Sequence, residues 1–407
     1  MRILLLTQVL PYPPDSGPKV KTWHLLRFLA PKHEVTLVSF VRGDQAQSVA
    51  ALRRYCHAVW TVPMSRSLPA DGLAMLRSLT GGQPWMMVRD DRAAMRQLVD
   101  RLAAETRFDV VHADQLNMAQ YAMRVGGARR VLDAHNALWL LYQRVGATMT
   151  AGPRKWLLER DWRLLKRYEG EACRGFDAVL TVSDQDRQAL DEAAGCPKRL
   201  PHVWVIPIAV DTDELPLLPR QPEASHIVHL GTMYWPPNID GVQWFVDEVY
   251  PLIRARRPEA ALDVVGARPP QSLLALNQSG RNIHVTGYVD DPRPFLRNAG
   301  VFIVPLRAGG GMRVKILEAL SQGLPVVSTT LGCEGIAVED GRHLLVADTP
   351  ADFAQAVLRL LEDADLARAL GQQGRERMVA QYDYRVAYRP LDVVYAGLGF
   401  EERSDVI

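Results

Sequence analysis

Short apolar runs alternate with stretches of 3.6-residue periodicity along the whole 407-residue chain. In the first half, runs at Arg2–Thr7, Glu34–Phe40, Asp109–His112, Arg130–Leu132, Ala178–Val182 and Val203–Ile206 predict strands. Helical patterns include Val20–Leu29, Leu116–Arg124, Pro153–Cys173 and Gln185–Ala193. The scheme then restarts, with strands at His226–Leu230, Ala261–Val265, Ile283–Thr286, Val301–Val304, Pro325–Ser328 and His343–Val346. Helices at Ile239–Arg256, Pro292–Asn298, Met312–Gln322, Ala351–Glu362 and Leu366–Tyr382 fall between or after them. Strands alternating with helices predict α/β architecture with parallel sheets, and the length calls for two cores. The expectation is two doubly wound, Rossmann-like domains facing across a cleft, with ligands at the carboxyl ends of the strands. The first spans residues 1–210 and the second 226–380, joined by a proline- and charge-rich linker at 211–225. Residues 381–407 carry helical content and are expected to cross back to the first domain.

Composition is that of a soluble globular protein, with no repeat or low-complexity segment. Cys56, Cys173, Cys196 and Cys333 are scattered without a CxxC, which fits a reducing cytoplasm and excludes a cysteine metal site. The apolar start MRILLL is too soon broken for a signal peptide, and no stretch has transmembrane length. A cytoplasmic location, with or without peripheral contact at the inner membrane face, is the expectation.

Charge changes the picture further. Residues 1–200 hold 29 Lys and Arg against 20 Asp and Glu, so the near-neutral total hides a basic first half. That implies an anionic partner there, a membrane surface or an acidic acceptor, or else a solvated excess. Nucleic acid is not implied, because no basic–aromatic cluster or known module accompanies the charge. The helix from Pro153 to Arg174 interleaves bases with Trp156, Trp162 and leucines, which suits an anionic membrane through the N-terminal domain. Its acids, Glu159, Asp161, Glu169 and Glu171, pair with the bases at helical spacing, and a domain helix with one solvated face is the preferred reading.

The most informative segment is PLRAGGGMRVKILEALSQGLPVVS, Pro305 to Ser328. Gly309, Gly310 and Gly311 let backbone approach a ligand closely, and the helix behind them offers free N–H groups to an anion. Arg313 and Lys315 add charge, Glu318 lies one turn beyond Lys315, and Gly323 with Pro325 ends the helix. Diphosphate on the turn and ribose on Glu318 is the functional reading; a surface Lys315–Glu318 pair is the bland one. A P-loop is excluded, since the Gly-Lys-Ser/Thr ending is absent.

Several ordered motifs accompany it: PYPPDSGPKVKTWHLL, VLDAHN, FDAVLTVSDQDRQAL, VIPIAVD, HLGTMYWPPNIDG and VTGYVDD. In this order they resemble a GT-B glycosyltransferase, closest to family 4, whose members are retaining and use nucleotide sugars. The resemblance implies transfer from a nucleoside-diphosphate sugar to a hydroxyl acceptor, which is lipid-linked in many relatives, in polysaccharide, glycolipid or secondary-metabolite synthesis. It places His135 against the donor sugar, and gives Arg313 and Lys315 the leaving diphosphate. Gly17, Gly231, Thr232, Gly266, Tyr288, Val289, the glycine run with Met312, and Glu318 fall on the donor side. Lys19, His112 and Asp114 fall on the acceptor side.

Two departures stand out. Gly310 occupies the position of the family's first glutamate, and the Arg and Lys common after the strand ending in HLGTMYWPPN are missing. Asp211-Thr212-Asp213 has a DxD form but reads as a turn, so no metal or other cofactor is expected. A non-hydrolysing sugar-nucleotide epimerase and a non-catalytic nucleotide-sugar-binding subunit remain the alternatives.

Overall fold

The computed structural model describes residues 1–196, 200, 202–219, 225–278 and 280–398. The chain divides into two compact units, one of residues 1–209 with the segment from Tyr384, the other Val210–Asp383.

The first unit is built on β1 (Arg2–Thr7), β2 (Glu34–Val41), β3 (Ala58–Pro63), β4 (Val110–Asp114), β5 (Arg129–Ala134), β6 (Ala178–Thr181) and β7 (Val203–Val205). They form one sheet in the order β3-β2-β1-β4-β5-β6-β7, every pair parallel. Parallel strands are covered on both faces, which is why the central ones read as unbroken apolar runs. Leu4, Leu6, Val111 and Ala113 enter one core, while Ile3, Leu5, Val110 and Val131 enter the other. The edge strand β3 escaped the sequence reading because Trp60, Thr61 and Pro63 are exposed and Val62 is its one buried residue. Helices Ala46–Leu52, Leu68–Gly81, Trp85–Asp90, Ala93–Glu105 and Leu138–Thr148 add to the predicted set.

The segment after Asp383 forms helices Tyr384–Ala387 and Arg389–Gly397 and completes the second of these cores. Tyr388 and Tyr395 are almost fully buried there, each contributing roughly 1.5–3 kcal/mol through burial.

The second unit repeats the plan with β8 (His226–Leu230), β9 (Leu262–Val265), β10 (Ile283–Gly287), β11 (Ala299–Val304), β12 (Val326–Ser328) and β13 (Leu345–Val346). Their order is β10-β9-β8-β11-β12-β13, again parallel throughout. In both sheets the order reverses once, between β1 and β4 and between β8 and β11, and the helices after those strands leave on opposite faces. Such reversal points open a crevice at the carboxyl edge.

Residues 211–219 of the expected linker are part of this unit. The Val210 N–H donates to Tyr382 O (2.9 Å), Thr212 Oγ1 donates to Asp383 Oδ2 (2.7 Å), and Arg375 donates to Leu215 O (2.7 Å). Residues 220–224 lie outside the described residues. Asp211 accepts from the Asp213 N–H at 3.0 Å, so the DxD segment shapes a turn. The helix predicted at Met312–Gln322 is Val314–Ser321, because Met312 and Arg313 belong to the glycine loop. No helix among the described residues is long and apolar enough to cross a membrane.

Candidate functional site

The candidate residues gather at the two carboxyl edges, one on each unit. In the first unit, β4 ends in Asp114, β5 supplies Asp133, and His135 follows it. The helix after β1, Gly17–Leu29, aims Lys21 and Thr22 at these carboxylates. Lys21 Nζ is bonded to Asp133 Oδ1, with both side chains only 1% exposed. Thr22 Oγ1 donates to Asp114 at 2.9 Å, and His135 Nε2 lies 2.9 Å from the same carboxylate. Burial works to raise Asp133, but the Lys21 ammonium, then His112 and His135, outweigh it and hold the carboxyl well below its usual range.

His112 does not reach an acceptor surface. It is fully buried, with Nδ1 2.7 Å from the Tyr395 hydroxyl and Nε2 3.6 Å from Asp133. Asp114 is equally interior at 1% exposed, so both are internal supports rather than acceptor contacts. Lys19 pairs with Asp15 at 2.9 Å beside Gly17, which opens the helix. Of His112, Asp114, Asp133 and His135, only His135 keeps an edge toward solvent, its side chain 8% exposed.

Two carboxylates fix the chain just after His135: Asp186, which the sequence reading left unassigned, and Glu169, which it expected to pair with bases of its own helix. Asp186 accepts from the Ala137 N–H (2.9 Å), and Glu169 accepts from the N–H groups of Leu138 (2.9 Å) and Trp139 (2.8 Å). Glu169 thereby caps the otherwise orphaned first turn of Leu138–Thr148. Burial raises its pKa to about 8, against those two backbone bonds. No local spacing signals either role, because both come from other helices.

Ligand atoms of Asp114, Asp133 and His135 approach within 4.8 Å of one another, a donor set a divalent ion could use. Lys21 already neutralises Asp133 there, and a cation entering beside that ammonium would be repelled.

In the second unit, β8 runs into Gly231 and Thr232 and β11 into the loop with Gly309–Gly311. Lys315 is half-buried on the next helix and donates to Asn238 Oδ1 at 3.1 Å, while Asn238 Nδ2 donates to Thr232 O at 2.9 Å. Among the described residues no ion pair within 4 Å joins Lys315 to Glu318. Burial and then Arg313 lower the Lys315 ammonium to about 7, against a smaller opposing pull from Glu318. Burial raises Glu318 to about 7, with Lys315 opposing.

His229, fully buried one turn of the edge below, has Nδ1 3.0 Å from Ile303 O. Burial, then Lys315, push it well below 6.5, so it is neutral and donates from Nδ1. Its Nε2 is left as an acceptor with no hydrogen-bond partner among the described residues. Gly231 is bare so that this group can converge: a Cβ there would stand 2.7 Å from Lys315 Nζ, 3.0 Å from Asn238 Nδ2 and 3.2 Å from His229 Nε2. Gly266 is required differently, since a Cβ would collide with the Gly231 carbonyl at 1.7 Å.

Arg313 differs from expectation. Its guanidinium turns back and donates to the carbonyls of Gly310 and Gly311 (2.7 Å for the second), bracing the loop in which Gly309 and Gly311 take φ of 115° and 78°. A cavity of about 440 Å³ is lined by Lys315, Glu318, Leu230, Asp290, Arg293 and Glu214 among others. Tyr288, 75% exposed, and Val289 stand next to this wall without lining it. A larger hollow of about 1210 Å³ against helix Ala364–Arg377 contains none of the candidate residues.

A carboxyl-edge cation over a glycine loop on a doubly wound unit is the geometry of an anion site, and the comparisons with known proteins agree in kind. Residues 16–214 match the family model described as Glycosyltransferase Family 4, and residues 224–363 the one described as Glycosyl transferases group 1. A Klebsiella pneumoniae protein described as "Uncharacterized 44.6 kDa protein in cps region" is 19% identical over 366 residues, covering 88% of this chain and 90% of that one. A GDP-mannose-dependent alpha-(1-6)-phosphatidylinositol monomannoside mannosyltransferase of Mycobacterium tuberculosis is 31% identical over 232 residues, 51% of this chain and 58% of its own length. The crystal structure of Anabaena Alr3699/HepE in complex with UDP superposes on 98% of this chain and 100% of that one, with a TM-score of 0.69 at 14% identity. With family matches on both halves and one fold along the full length, the chain is a GT-B glycosyltransferase of the family-4 type.

Proposed function

We propose that this enzyme transfers a glycosyl group from a nucleoside-diphosphate sugar to a hydroxyl of a cell-envelope glycan or glycolipid, in the cytoplasm and with retention. The observation that carries the reading is Lys315: a half-buried ammonium at the β8/β11 reversal, held by an amide and not by a carboxylate. Its charge is thereby kept for an anion that is absent from the fold itself. In the proposed reaction the bond from the anomeric carbon to the diphosphate oxygen breaks and the bond to the acceptor oxygen forms. The acceptor proton passes to the departing phosphate oxygen on the same face, so no dedicated base is needed. Lys315 stabilises the charge that develops on the leaving group, and Glu318 accepts from the ribose hydroxyls. His135 supports the donor sugar, and Arg313 acts through the loop it braces. No resident cofactor or metal is proposed; the ammonium does the work a divalent ion does elsewhere.

The relative's use of GDP-mannose and the neighbour's UDP support a nucleotide-sugar donor without choosing the base. The test is a thermal-shift screen against nucleoside diphosphates, followed by turnover with the matching sugars and acceptors and NMR of the product anomer. A rise in melting temperature with one diphosphate and a retained anomer is the expected result. An inverted product overturns retention. Solvent isotope entering the sugar without acceptor would favour the epimerase, and tight binding with no turnover the non-catalytic subunit.

A further inference from the structure

Gln115 is the first residue beyond β4, and among the described residues of the first unit it is the one non-glycine with a positive φ. At φ 72° and ψ 155° it lies outside the left-handed helical well that asparagine and aspartate tolerate, in a region open almost only to glycine. A glutamine Cβ is strained there, whereas glycine would make the same turn freely.

Both sides of the residue are pinned, which is what such a conformation needs in order to persist. Before it, Asp114 is 1% exposed and held by Thr22 Oγ1 and His135 Nε2, each at 2.9 Å. The Gln115 N–H donates to Asp133 O (2.9 Å) and carries the β4–β5 ladder one step further, while its carbonyl accepts from the Met118 N–H (3.1 Å). After it, Leu116 and Asn117 are buried, and Asn117 Nδ2 donates to Asp90 Oδ2 (2.6 Å). The chain must pass from strand to the helix Leu116–Ala122 within one residue.

The side chain returns nothing to the fold for this strain. It is half-buried, and its amide has no hydrogen-bond partner among the described residues. His135, bonded to the adjacent Asp114, is in a similar state: its Nδ1 is buried and has no partner among the described residues. With Nε2 donating to the Asp114 carboxylate, Nδ1 of the neutral ring is an acceptor. An amide that both donates and accepts, beside a lone imidazole acceptor, is the complement of a hydroxyl. A phosphate would find one neutral donor here and a lone pair opposing it; the neighbouring hydroxyls of a saccharide match the whole set.

We propose that Gln115 is a specificity-determining residue at this edge, its amide holding a saccharide hydroxyl next to His135. The inference rests on the transferase reading and adds one contact to it. The strained backbone is kept because glycine, which would relax it, has no amide to offer. The hydroxyl belongs either to the glycosyl group of the donor or to the acceptor sugar, and the two sources leave different traces.

The test compares Gln115→Gly and Gln115→Ala in the full chain. Glycine removes strain and amide together, so the melting temperature should rise by about 2–4 °C while kcat/KM falls about tenfold. Alanine keeps the strained Cβ without the amide, and should show the same loss of turnover with a melting temperature within about 1 °C of wild type. A donor hydroxyl predicts that calorimetric affinity for UDP-glucose or GDP-mannose, whichever the wild type binds, falls about tenfold while that for the matching nucleoside diphosphate stays. An acceptor hydroxyl predicts that both affinities stay and the loss appears as a higher KM for the acceptor. A Gly variant that turns over like wild type, or that melts below it, overturns the inference and leaves the transferase reading standing. Wild-type protein that binds no nucleoside diphosphate overturns that reading, and the inference with it.

Discussion

Each sheet places one lysine at its carboxyl edge, and the two are treated in opposite ways. Lys21 is 1% exposed and locked on a buried carboxylate, within a network that runs through His112 to Tyr395. Lys315 is half-buried and bonded to a neutral amide, and its neighbours Arg313 and His229 do nothing to balance its charge. A cation already paired with an acid stiffens a fold; one left against neutral acceptors lowers its own pKa and waits for an anion. Under the proposed function the first edge is therefore mainly architecture that holds His135, and the second carries the chemistry.

The contrast breaks most visibly at Lys21. Lys21→Met leaves Asp133 charged in the interior, which should cost about 3–5 kcal/mol. Urea denaturation measures this, and adding Asp133→Asn should recover much of the loss by removing the stranded charge. Lys315→Met should do the reverse. Stability stays level or rises, since an ammonium is no longer held out of water, while kcat/KM falls at least a hundredfold, about 3 kcal/mol of transition-state stabilisation. If Lys315→Met unfolds the protein and Lys21→Met only slows it, the assignment of the two edges is reversed.

Much of this was legible in the sequence, and the failures have physical reasons. The central strands and their alternation with helices were readable because double-sided burial makes unbroken apolar runs. Leu68–Gly81 was not, since its inward face is only Ala74 and Ser78 and its leucines point out. The glycine turn between a strand and a helix was readable from local spacing, although the helix begins at Val314 and not at Met312. The Lys21–Asp133 bond joins positions 112 residues apart, and nothing local announces it. Arg313 was placed with the cations from its spacing to Lys315; the path of the loop, which local spacing does not give, turns its Nη1 onto the carbonyls of Gly310 and Gly311. Asn238 and His229 lie within HLGTMYWPPNIDG but were given no role, because only Gly231 and Thr232 of that motif were read as donor contacts.

Glu318 sharpens the second edge. Glu318→Ala should weaken donor binding by about 1.5–3 kcal/mol through loss of a charge-assisted bond to ribose. The effect should appear in KM and in calorimetric affinity more than in kcat. A surface ion pair with Lys315 would instead predict no kinetic change, and the separation of the two side chains already speaks against it.

The smallest effect is the most discriminating one. Glu318 is raised to about 7 and must be ionised to accept from ribose, so binding fails as pH drops below neutrality. Lys315 is lowered to about 7 and must be protonated to hold diphosphate, so binding fails as pH rises above it. Calorimetric affinity for a nucleoside diphosphate should therefore peak near neutral pH, each limb falling up to about tenfold per unit. Asn238→Ala removes the acceptor at 3.1 Å that favours the charged form of Lys315. That lowers the ammonium's pKa further and moves the alkaline limb to lower pH, while the acid limb, set by Glu318, stays in place. At the optimum the loss should be about 1 kcal/mol, roughly fivefold. An amide that merely packs the end of β8 would weaken binding equally at every pH; a one-sided shift of the profile is what identifies it as the group that aims Lys315 at the diphosphate.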